Sequence, residues 1–325
     1  MTDRVQKPQA LLPLCLDVDG SLPRQEQVVR ALHEVADLRT SEDALRLWAT
    51  SQGLTAVREV LCRWQVQYPQ PWLTFLGSGD CHHLTLLLLD ALCELARPVT
   101  LVVIDNHPDW FAVPPRYHCG NWVSGALRLP WLRAAILIGQ DSPDLEGPCF
   151  WRAPFRELRS GRVSLFPYGR SRIGVPLRWP RTVAGAAASA RRWYGVELSF
   201  QTIQQCGARH LFDELAVRVA GQRVYLSVDK DCLAAPFAAT DWEQGRLSLD
   251  ELRYGIQRLR EAATIVGADV CGDAAQKPLR GFWKRFDAAR LIAGAGLSAD
   301  QRRINEETNL SLLDAFAPLY EVSRA

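Results

Sequence analysis

Residues 101–109 place ionisable side chains directly after a short apolar segment. The sequence LVVI at 101–104 precedes DNHPD at 105–109, so that two carboxylates and an imidazole follow in quick succession. A short apolar run is typical of a buried parallel strand, and strand periodicity would put Asp105, His107 and Asp109 on one side. Asp and His together bind ions such as manganese, zinc or nickel. A polar turn is the simpler interpretation of this segment taken alone.

Ionisable residues also end three other apolar segments. They are Asp80, His82 and His83 after residues 72–76, Asp229 and Asp231 after residues 223–228, and Asp273 after residues 264–271. In open α/β sheets, ligands bind at the carboxyl ends of the strands. Carboxylates crowded at one such edge repel each other unless a cation neutralises them, so the pattern favours a metal site. Two imidazoles and four carboxylates would suit a pair of ions about 3.5–4 Å apart.

Strand-like and helix-like segments alternate along the chain and would position these residues. Strands are predicted at 11–16, 72–76, 100–105, 134–139, 162–166, 223–228 and 264–271, with helices near 24–36, 41–49, 121–129, 211–220 and 249–262. The alternation predicts an α/β fold with three layers, α/β/α, around a central and mostly parallel sheet. We expect residues 1–325 to form one domain, although 168–205 show no assignable pattern. Ser41 and Ser248 are predicted helix caps, the latter in a capping box with Glu251.

The composition narrows the classes of function. A net charge of +2 gives no reason to expect a nucleic-acid or membrane partner,. The first twenty residues contain too short an apolar run for a signal peptide or a membrane span. Nine cysteines without a CxxC pair argue against a disulfide framework or a zinc-thiolate site and favour the cytoplasm,. Cys81, Cys119 and Cys271 each neighbour a motif, and we interpret them as small buried apolar residues.

Three segments, in this order, resemble the metal-binding motifs of the ureohydrolase superfamily of arginase and agmatinase. They are GSGDCHH (77–83), DNHPD (105–109) and SVDKD (227–231), and the resemblance extends from about residue 72 to 273. It implies an arginase-like fold and a binuclear manganese hydrolase. Such an enzyme cleaves a C–N bond of a guanidino or amidino compound with metal-activated water and releases urea.

The resemblance also implies metal ligands, two Mn²⁺ ions per chain and a proton shuttle. Asp105 and Asp229 would bridge the two ions. His82 and Asp109 would complete one shell, and His107 and Asp231 the other. His118, in the segment HCGN, would pass a proton to the leaving amine, and imidazole is the usual side chain for that task near neutral pH,. Asp109 would also accept a hydrogen bond from the attacking hydroxide.

Three departures from the superfamily pattern leave alternatives open. Cys81 separates Asp80 from the histidines, so that His82 is the preferred ligand and His83 a second choice. The strand that should end in a glutamate for the substrate cation ends in Gly272 and Asp273, and Asp273 could take that role. The loop before His118 is short and lacks the residues that hold arginine's carboxylate and amine. L-Arginine itself is therefore not the expected substrate.

Two other functions are alternatives for the same residues. A mononuclear zinc amidohydrolase, similar to the acetyl-polyamine and histone deacetylases, would use Asp105, His107 and Asp229. The presence of Asp109 and Asp231 argues against it, because the ligands of a second ion are intact. A non-catalytic relative is the third reading, motivated by the altered first motif and the missing glutamate. The resemblance to the superfamily, whose members form trimers or hexamers, implies a possible homo-oligomer. No sequence feature marks an interface.

Overall fold

The computed structural model describes residues 10–92, 97–111, 117–145, 152–170, 172–176, 186–192, 195–288 and 297–317. Its strands are β1 (Leu12–Asp17), β2 (Glu34–Asp37), β3 (Trp72–Phe75), β4 (Val99–Ile104), β5 (Leu132–Ile138), β6 (Val163–Phe166), β7 (Arg172–Pro176), β8 (Ala186–Arg192), β9 (Gly195–Phe200), β10 (Arg223–Asp229) and β11 (Thr264–Cys271). Its helices are α1 (Glu26–Ala31), α2 (Glu42–Leu45), α3 (Ser51–Gln67), α4 (Thr85–Asp90), α5 (Trp122–Ala126), α6 (Phe155–Ser160), α7 (Ile203–Cys206), α8 (Ala208–Val219), α9 (Leu249–Ala262), α10 (Phe282–Asp287) and α11 (Ala299–Phe316).

Eight of these strands form one sheet in the order β2-β1-β3-β11-β10-β4-β5-β6. Every pair of neighbours in it is parallel. The four strands that lead into the predicted ligands, β3, β11, β10 and β4, are consecutive in this order. Their carboxyl ends therefore meet at the centre of one edge, which is where a binding site is expected in such a sheet.

The sheet is covered on both faces, as its apolar strands require. Within β4, Leu101 and Val103 belong to one buried cluster, which also contains residues of α3, α4 and α5. Val102 and Ile104 belong to a second cluster, with residues of α8, α9 and α11. The fold is thus a three-layer α/β/α arrangement around a parallel sheet, and the predicted fold class is confirmed.

Two elements near the N-terminus differ from the prediction. The segment 24–36, predicted as one helix, is the short α1 followed by the edge strand β2, which pairs with β1. The helix predicted at 41–49 ends at α2, because Leu47 adopts a φ of 66°. Two long-range hydrogen bonds hold Leu47 in this conformation. The Leu47 N–H donates to the Asp80 carbonyl at 2.8 Å, and the Leu47 carbonyl accepts from the Cys119 N–H at 2.9 Å. Helix α3, which the sequence pattern missed, then begins after Thr50.

The cap predictions had opposite outcomes. Ser41 makes no side-chain cap hydrogen bond, so that prediction was wrong. Ser248 Oγ accepts the Glu251 N–H at 3.3 Å while Glu251 accepts the Ser248 N–H at 2.9 Å, which confirms the capping box of α9.

The unassigned segment 168–205 contains a small second sheet. Strands β7, β9 and β8 pair antiparallel in that order. Antiparallel strands of mixed polarity give a weaker sequence signal than buried parallel strands, since only one face needs apolar residues. Over the part of the chain that the structure describes, no helix combines the length and hydropathy needed to cross a bilayer.

Candidate active site

A cavity of about 510 Å³ opens at the carboxyl edge of the sheet. Its walls include most of the predicted ligands and the predicted proton shuttle, together with several residues that no motif indicated. The lining consists of Gly79, Asp105, His107, Asp109, Phe111, His118, Cys119, Gly120, Pro143, Asp144, Arg152, Asp229, Asp231, Trp242, Glu243 and Asp287. The three sequence motifs thus contribute to one pocket.

His82 faces a group of carboxylates at the base of this cavity. Its Nδ1 lies 3.0 Å from Asp109 Oδ2, 3.3 Å from Asp105 Oδ2 and 3.6 Å from Asp229 Oδ2. Its Nε2 lies 2.9 Å from Ser227 Oγ, which itself donates to Asp269 Oδ1 at 2.7 Å. Because the serine proton is already committed, Nε2 must donate to Ser227, and Nδ1 points at the carboxylates. A metal-binding histidine is oriented in this way.

His107 forms the second group. Its Nδ1 lies 2.7 Å from Asp231 Oδ2 and 3.8 Å from Asp105 Oδ1, and its Nε2 lies 3.2 Å from Glu243 Oε2. Backbone donors fix these carboxylates, since Asp105 Oδ1 accepts the His107 N–H at 2.6 Å and Asp229 Oδ1 accepts the Asp231 N–H at 2.9 Å. The turn after β4 thus presents Asp105 between the two histidines.

The two groups share Asp105 and have the chemistry of a divalent-cation site. The ligand atoms of His82, Asp105 and Asp109 lie within 4.8 Å of one another, as do those of Asp105, His107 and Asp231. Asp105 Oδ2 and His82 Nδ1 are buried and make no hydrogen bond in the described structure. Such atoms are costly to bury unless something binds them. The donor set therefore fits cations that neutralise it.

The pKa values of the carboxyls reflect the same crowding. Burial, followed by the charges of Asp231 and Asp109, raises the pKa of Asp105 well above its ordinary value. Burial and the charge of Asp231 likewise raise the pKa of Asp229 to about 7. Each of these groups resists ionisation in the absence of a positive charge. A bound cation would reverse that preference by favouring the ionised carboxylates.

Asp109 is held by Trp122, which lies outside the three sequence motifs. Asp109 has a φ of 44°, and its Oδ2 accepts the indole N–H of Trp122 at 2.8 Å. Trp122 is fully buried and its ring centroid lies 4.7 Å from that of His82. The indole thus packs in the core and also orients one proposed ligand.

Replacing Trp122 with phenylalanine should weaken metal binding by about 10–100-fold, the usual effect of removing a hydrogen-bond partner of a ligand. Titration calorimetry with Mn²⁺ would measure it. Trp64→Phe is the matched control, because Trp64 is also fully buried and donates its N–H to a carboxylate, Glu34, at 2.9 Å. Equal affinities in the two variants would contradict the role of Trp122.

The structure separates the two candidate histidines of the first motif. Residues Gly79–Leu84 form a 3₁₀ turn that directs His82 to the carboxylates. His83 is equally buried, but it belongs to no donor group and neither ring nitrogen makes a hydrogen bond to a described residue. Burial, followed by the charges of His118 and Lys284, lowers the pKa of His83 well below its ordinary value. Geometry therefore favours His82 over His83 as ligand.

His118 lies at the wall of the cavity with both ring nitrogens engaged. Its Nδ1 accepts the Gly120 N–H at 2.9 Å, so that Nε2 carries the proton and faces Asp287 Oδ2 at 2.8 Å. The ring stacks on Trp48 with an interplanar angle of 21°. Hydrogen bonding to His118 lowers the pKa of Asp287. Asp287 lies on α10, far along the chain, and sequence reasoning missed it.

Asp273 is not brought to the cavity. Its Oδ1 accepts from Lys230 Nζ at 2.7 Å and from Gln25 Nε2 at 3.0 Å, and its Oδ2 accepts from Asn309 Nδ2 at 3.1 Å. The chain turns away at Gly272, whose φ is 92°. The role of substrate contact predicted for Asp273 is therefore corrected: this carboxylate belongs to a buried ion pair with Lys230.

Glu243 is the acidic residue that the structure places in the pocket instead. It lies in the loop between β10 and α9, and its Oε2 is 3.2 Å from His107 Nε2. Its side chain retains 35% exposure. The surrounding sequence, TDWEQG (240–245), matched none of the three motifs. Only the path of the loop back to the sheet edge reveals this residue.

A third acidic group lies beside the cavity but is already neutralised. Asp19, Asp80 and Cys81 have ligand atoms close together. Arg46 pairs with Asp80 Oδ2 at 2.9 Å, and Asp19 Oδ2 accepts the Ser78 N–H at 2.8 Å. Asp80 is thus held by an arginine, and the group needs no cation.

Asp241 beside this group should make stability depend on pH. Burial and the charge of Asp80 raise the pKa of Asp241 to about 7 from 3.8. Its contribution to stability is therefore full below pH 3.8 and is lost as the pH rises to about 7,. We expect Asp241→Asn to stabilise the metal-free protein at pH 8, on the order of 2–4 kcal/mol, with a smaller gain at pH 5. Urea denaturation at both pH values would measure it.

The control for this prediction is Asp213→Asn. The hydrogen bond from Arg258 lowers the pKa of Asp213, so the ionised form is favoured in the folded state. Its replacement should therefore change stability in the opposite direction and only slightly, because this carboxylate is exposed,. An Asp241→Asn variant that is less stable than the wild type at pH 8 would contradict the assignment.

Comparison with known proteins yields a related sequence and related structures. No protein-family model matches this sequence. A Thermotoga maritima protein that is described only as uncharacterized is 27% identical over 220 residues, which are 67% of this chain and 64% of that protein. The match therefore spans less than two thirds of that protein's length.

Three solved structures illustrate the structural likeness. Proclavaminate amidino hydrolase from Streptomyces clavuligerus superposes with a TM-score of 0.58 at 17% identity, over 98% of this chain and 95% of that one. Formimidoylglutamase from Bacillus subtilis gives 0.58 at 11% identity, over 97% and 89% of the two chains. Arginase from Bacillus cereus gives 0.58 at 12% identity, over 95% and 98%. This chain therefore has the fold of the ureohydrolase superfamily.

Proposed function

We propose that this chain is a binuclear, metal-dependent hydrolase that cleaves a C–N bond of a guanidino or amidino compound. The observation that carries the proposal is the pair of donor groups that share Asp105 at the base of one cavity. Solved structures with this fold include an amidino hydrolase and an arginase, which supports the same reaction class. Both Asp109 and Asp231 face this site, which favours two ions over the single zinc of a deacetylase-like enzyme.

The residues present divide into two sets of ligands. His82 and Asp109 would hold one ion and His107 and Asp231 the other, while Asp105 and Asp229 would contact both. We expect Mn²⁺, because carboxylates dominate the set. The ions would supply Lewis acidity and lower the pKa of a bound water molecule.

The chain's own residues would orient the substrate and move protons. His118 Nε2 and Asp287 Oδ2 lie 2.8 Å apart at the wall of the cavity. This pair would take up the proton that the added water loses and deliver it to the nitrogen that leaves when the C–N bond breaks, so that the pair ends with the same number of protons.

The cavity favours a positively charged substrate. Apart from the proposed ligands, its wall carries three carboxylates, Asp144, Glu243 and Asp287, against one cation, Arg152. A guanidinium or amidinium group complements this charge. Glu243, beside His107 at the wall, would bind that group in the role first predicted for Asp273.

Glu243→Gln should reduce kcat/KM for a guanidinium substrate by about 10–100-fold, since a hydrogen bond to a charged group contributes about 1.5–3 kcal/mol. Steady-state kinetics would measure the loss, and bound metal should stay at the wild-type amount. An unchanged kcat/KM would exclude Glu243 as the substrate contact. Loss of metal together with activity would instead indicate that Glu243 acts through His107.

The reaction class is tested on metal-free protein reloaded with Mn²⁺. The substrate panel comprises guanidino amines, guanidino acids, an N-formimidoyl amino acid, L-arginine and an acetylated amine, with detection of urea, formamide and acetate. We expect metal-dependent hydrolysis of a guanidino or amidino compound, with L-arginine a poor substrate. Turnover of only the acetylated amine would favour the zinc amidohydrolase. Two bound ions without turnover of any compound would contradict the proposed reaction.

The cellular compartment and the oligomeric state of the protein remain predictions. The cysteines in the described part of the chain are free thiols, which fits the cytoplasm,. Analytical ultracentrifugation would test whether the chain forms a homo-oligomer.

A further inference from the structure

Cys271 lies at the proposed metal centre, although it is neither one of the six proposed ligands nor part of the proposed proton transfer. It is the last residue of β11, and its side chain is fully buried. Its Sγ lies 3.1 Å from Asp229 Oδ2, the carboxylate oxygen that faces His82. A sulfur donor thus stands beside a proposed bridging ligand.

The sheet itself fixes this position. Cys271 and Asp229 are register partners across the parallel strands β11 and β10, so that their side chains emerge on the same face,. The next residue, Gly272, passes so close that a Cβ there would overlap Asp229 Oδ1. The strand end therefore holds the thiol against the carboxylate and admits only glycine at the next position.

Cys271 completes a third donor group with an imidazole and a carboxylate. The ligand atoms of His82, Asp229 and Cys271 all lie within 4.8 Å of one another. His82 Nδ1 is buried, makes no hydrogen bond in the described structure and faces this space, 3.6 Å from Asp229 Oδ2. Two independent features, the placement of the thiol and the unpartnered nitrogen, thus converge on one point.

The other fully buried cysteines of the described chain lack this arrangement. Cys15 and Cys232 are fully buried but belong to no donor group among the described residues. Cys81 belongs to a group whose carboxylate, Asp80, is already paired with Arg46. Cys271 is therefore distinguished by its neighbours and not by burial alone.

We propose that Cys271 is a sulfur ligand of the ion held by His82 and Asp229. The proposal rests on the metal site of the proposed function and changes its metal preference. Thiolates favour zinc and similar borderline ions, whereas carboxylate and imidazole alone accommodate manganese. On binding, the thiol gives up its proton to solvent and the sulfur donates to the ion. This half of the site thus prefers Zn²⁺ or Co²⁺ to Mn²⁺.

Cobalt substitution provides the test, because a Co²⁺–thiolate bond gives a near-ultraviolet charge-transfer absorption. We expect this band when metal-free wild-type protein is titrated with Co²⁺. It should disappear in Cys271→Ser, with Co²⁺ still bound, and remain in the matched control Cys15→Ser. Competition between Zn²⁺ and Mn²⁺ should show at least a tenfold loss of zinc preference in Cys271→Ser.

A second measurement needs no variant. X-ray absorption at the zinc edge of the wild-type protein should show a sulfur neighbour at about 2.3 Å. Bound Co²⁺ and Zn²⁺ without the band and without a sulfur neighbour would overturn the role of Cys271 and leave the hydrolase intact. A band that persists in Cys271→Ser would overturn it as well. Failure to bind any ion would overturn both proposals.

Discussion

Asp229→Asn is expected to remove the stabilisation that bound metal gives and to reduce the rate of hydrolysis. The reduction should exceed the loss of about 10–100-fold that follows when a hydrogen-bond partner of a metal ligand is removed. Asp229 Oδ2 lies 3.6 Å from His82 Nδ1, and Oδ1 accepts the Asp231 N–H at 2.9 Å. Asparagine keeps this acceptor and the side-chain shape but loses the charge that both donor groups need. Elemental analysis, thermal unfolding with and without Mn²⁺, and urea release would measure the effect.

The stability of the metal-free variant distinguishes loss of a ligand from misfolding. The pKa of Asp229, raised to about 7, means that this carboxyl stabilises the fold below pH 3.8 and loses that contribution as the pH approaches 7,. Asparagine cannot ionise, so metal-free Asp229→Asn should be at least as stable as the wild type at pH 8. The metal-dependent increase in Tm should appear in the wild type only.

Asp141→Asn is the matched control for this experiment. Asp141 follows β5 at the same edge of the sheet, but its carboxylate pairs with Arg246 at 3.0 Å and belongs to no donor group. Its replacement should leave metal content and the metal-induced Tm shift at wild-type values. Full metal content in Asp229→Asn, or an equal loss in both variants, would contradict the proposed bridging role.

The sequence predicted the sheet better than its surroundings, for a physical reason. A central parallel strand such as β4 is buried on both faces, so five of its six residues are apolar and the segment is visible without tertiary information,. The edge strand β2 has no such requirement, and EVAD (34–37) merges with the helical spacing before it. The break at Leu47 depends on hydrogen bonds to Asp80 and Cys119, residues distant in the chain.

The candidate site shows the same division between local and long-range information. Motifs at strand ends locate Asp105, Asp229 and their neighbours, because a parallel sheet brings those ends together. The choice between His82 and His83 depended on the geometry of one 3₁₀ turn, which spacing does not determine. Glu243 and Asp287 come to the cavity by a loop and a short helix, and only the folded chain reveals them.

The buried pair of Lys230 and Asp273 should be among the strongest single contributions to stability. Lys230 is fully buried, and among the described residues its ammonium bonds only to Asp273, at 2.7 Å. Asp273→Asn leaves that charge without a counterion, and we expect a loss of about 3–5 kcal/mol in the free energy of unfolding. Lys230→Met should cost less, because Gln25 and Asn309 still donate to the carboxylate. Urea denaturation of both single variants and the double variant would measure the coupling.

The size of the coupling shows whether Lys230 and Asp273 interact directly. A double variant much less destabilised than the sum of the singles is expected, since neither charge is then left alone. Glu307→Gln, which breaks an exposed pair with Arg303, should change stability by less than about 1 kcal/mol,. Additive losses in the cycle would contradict a direct pair.

Because Lys230 lies between Asp229 and Asp231, displacement of its side chain should also lower metal affinity, whereas Glu307→Gln should not.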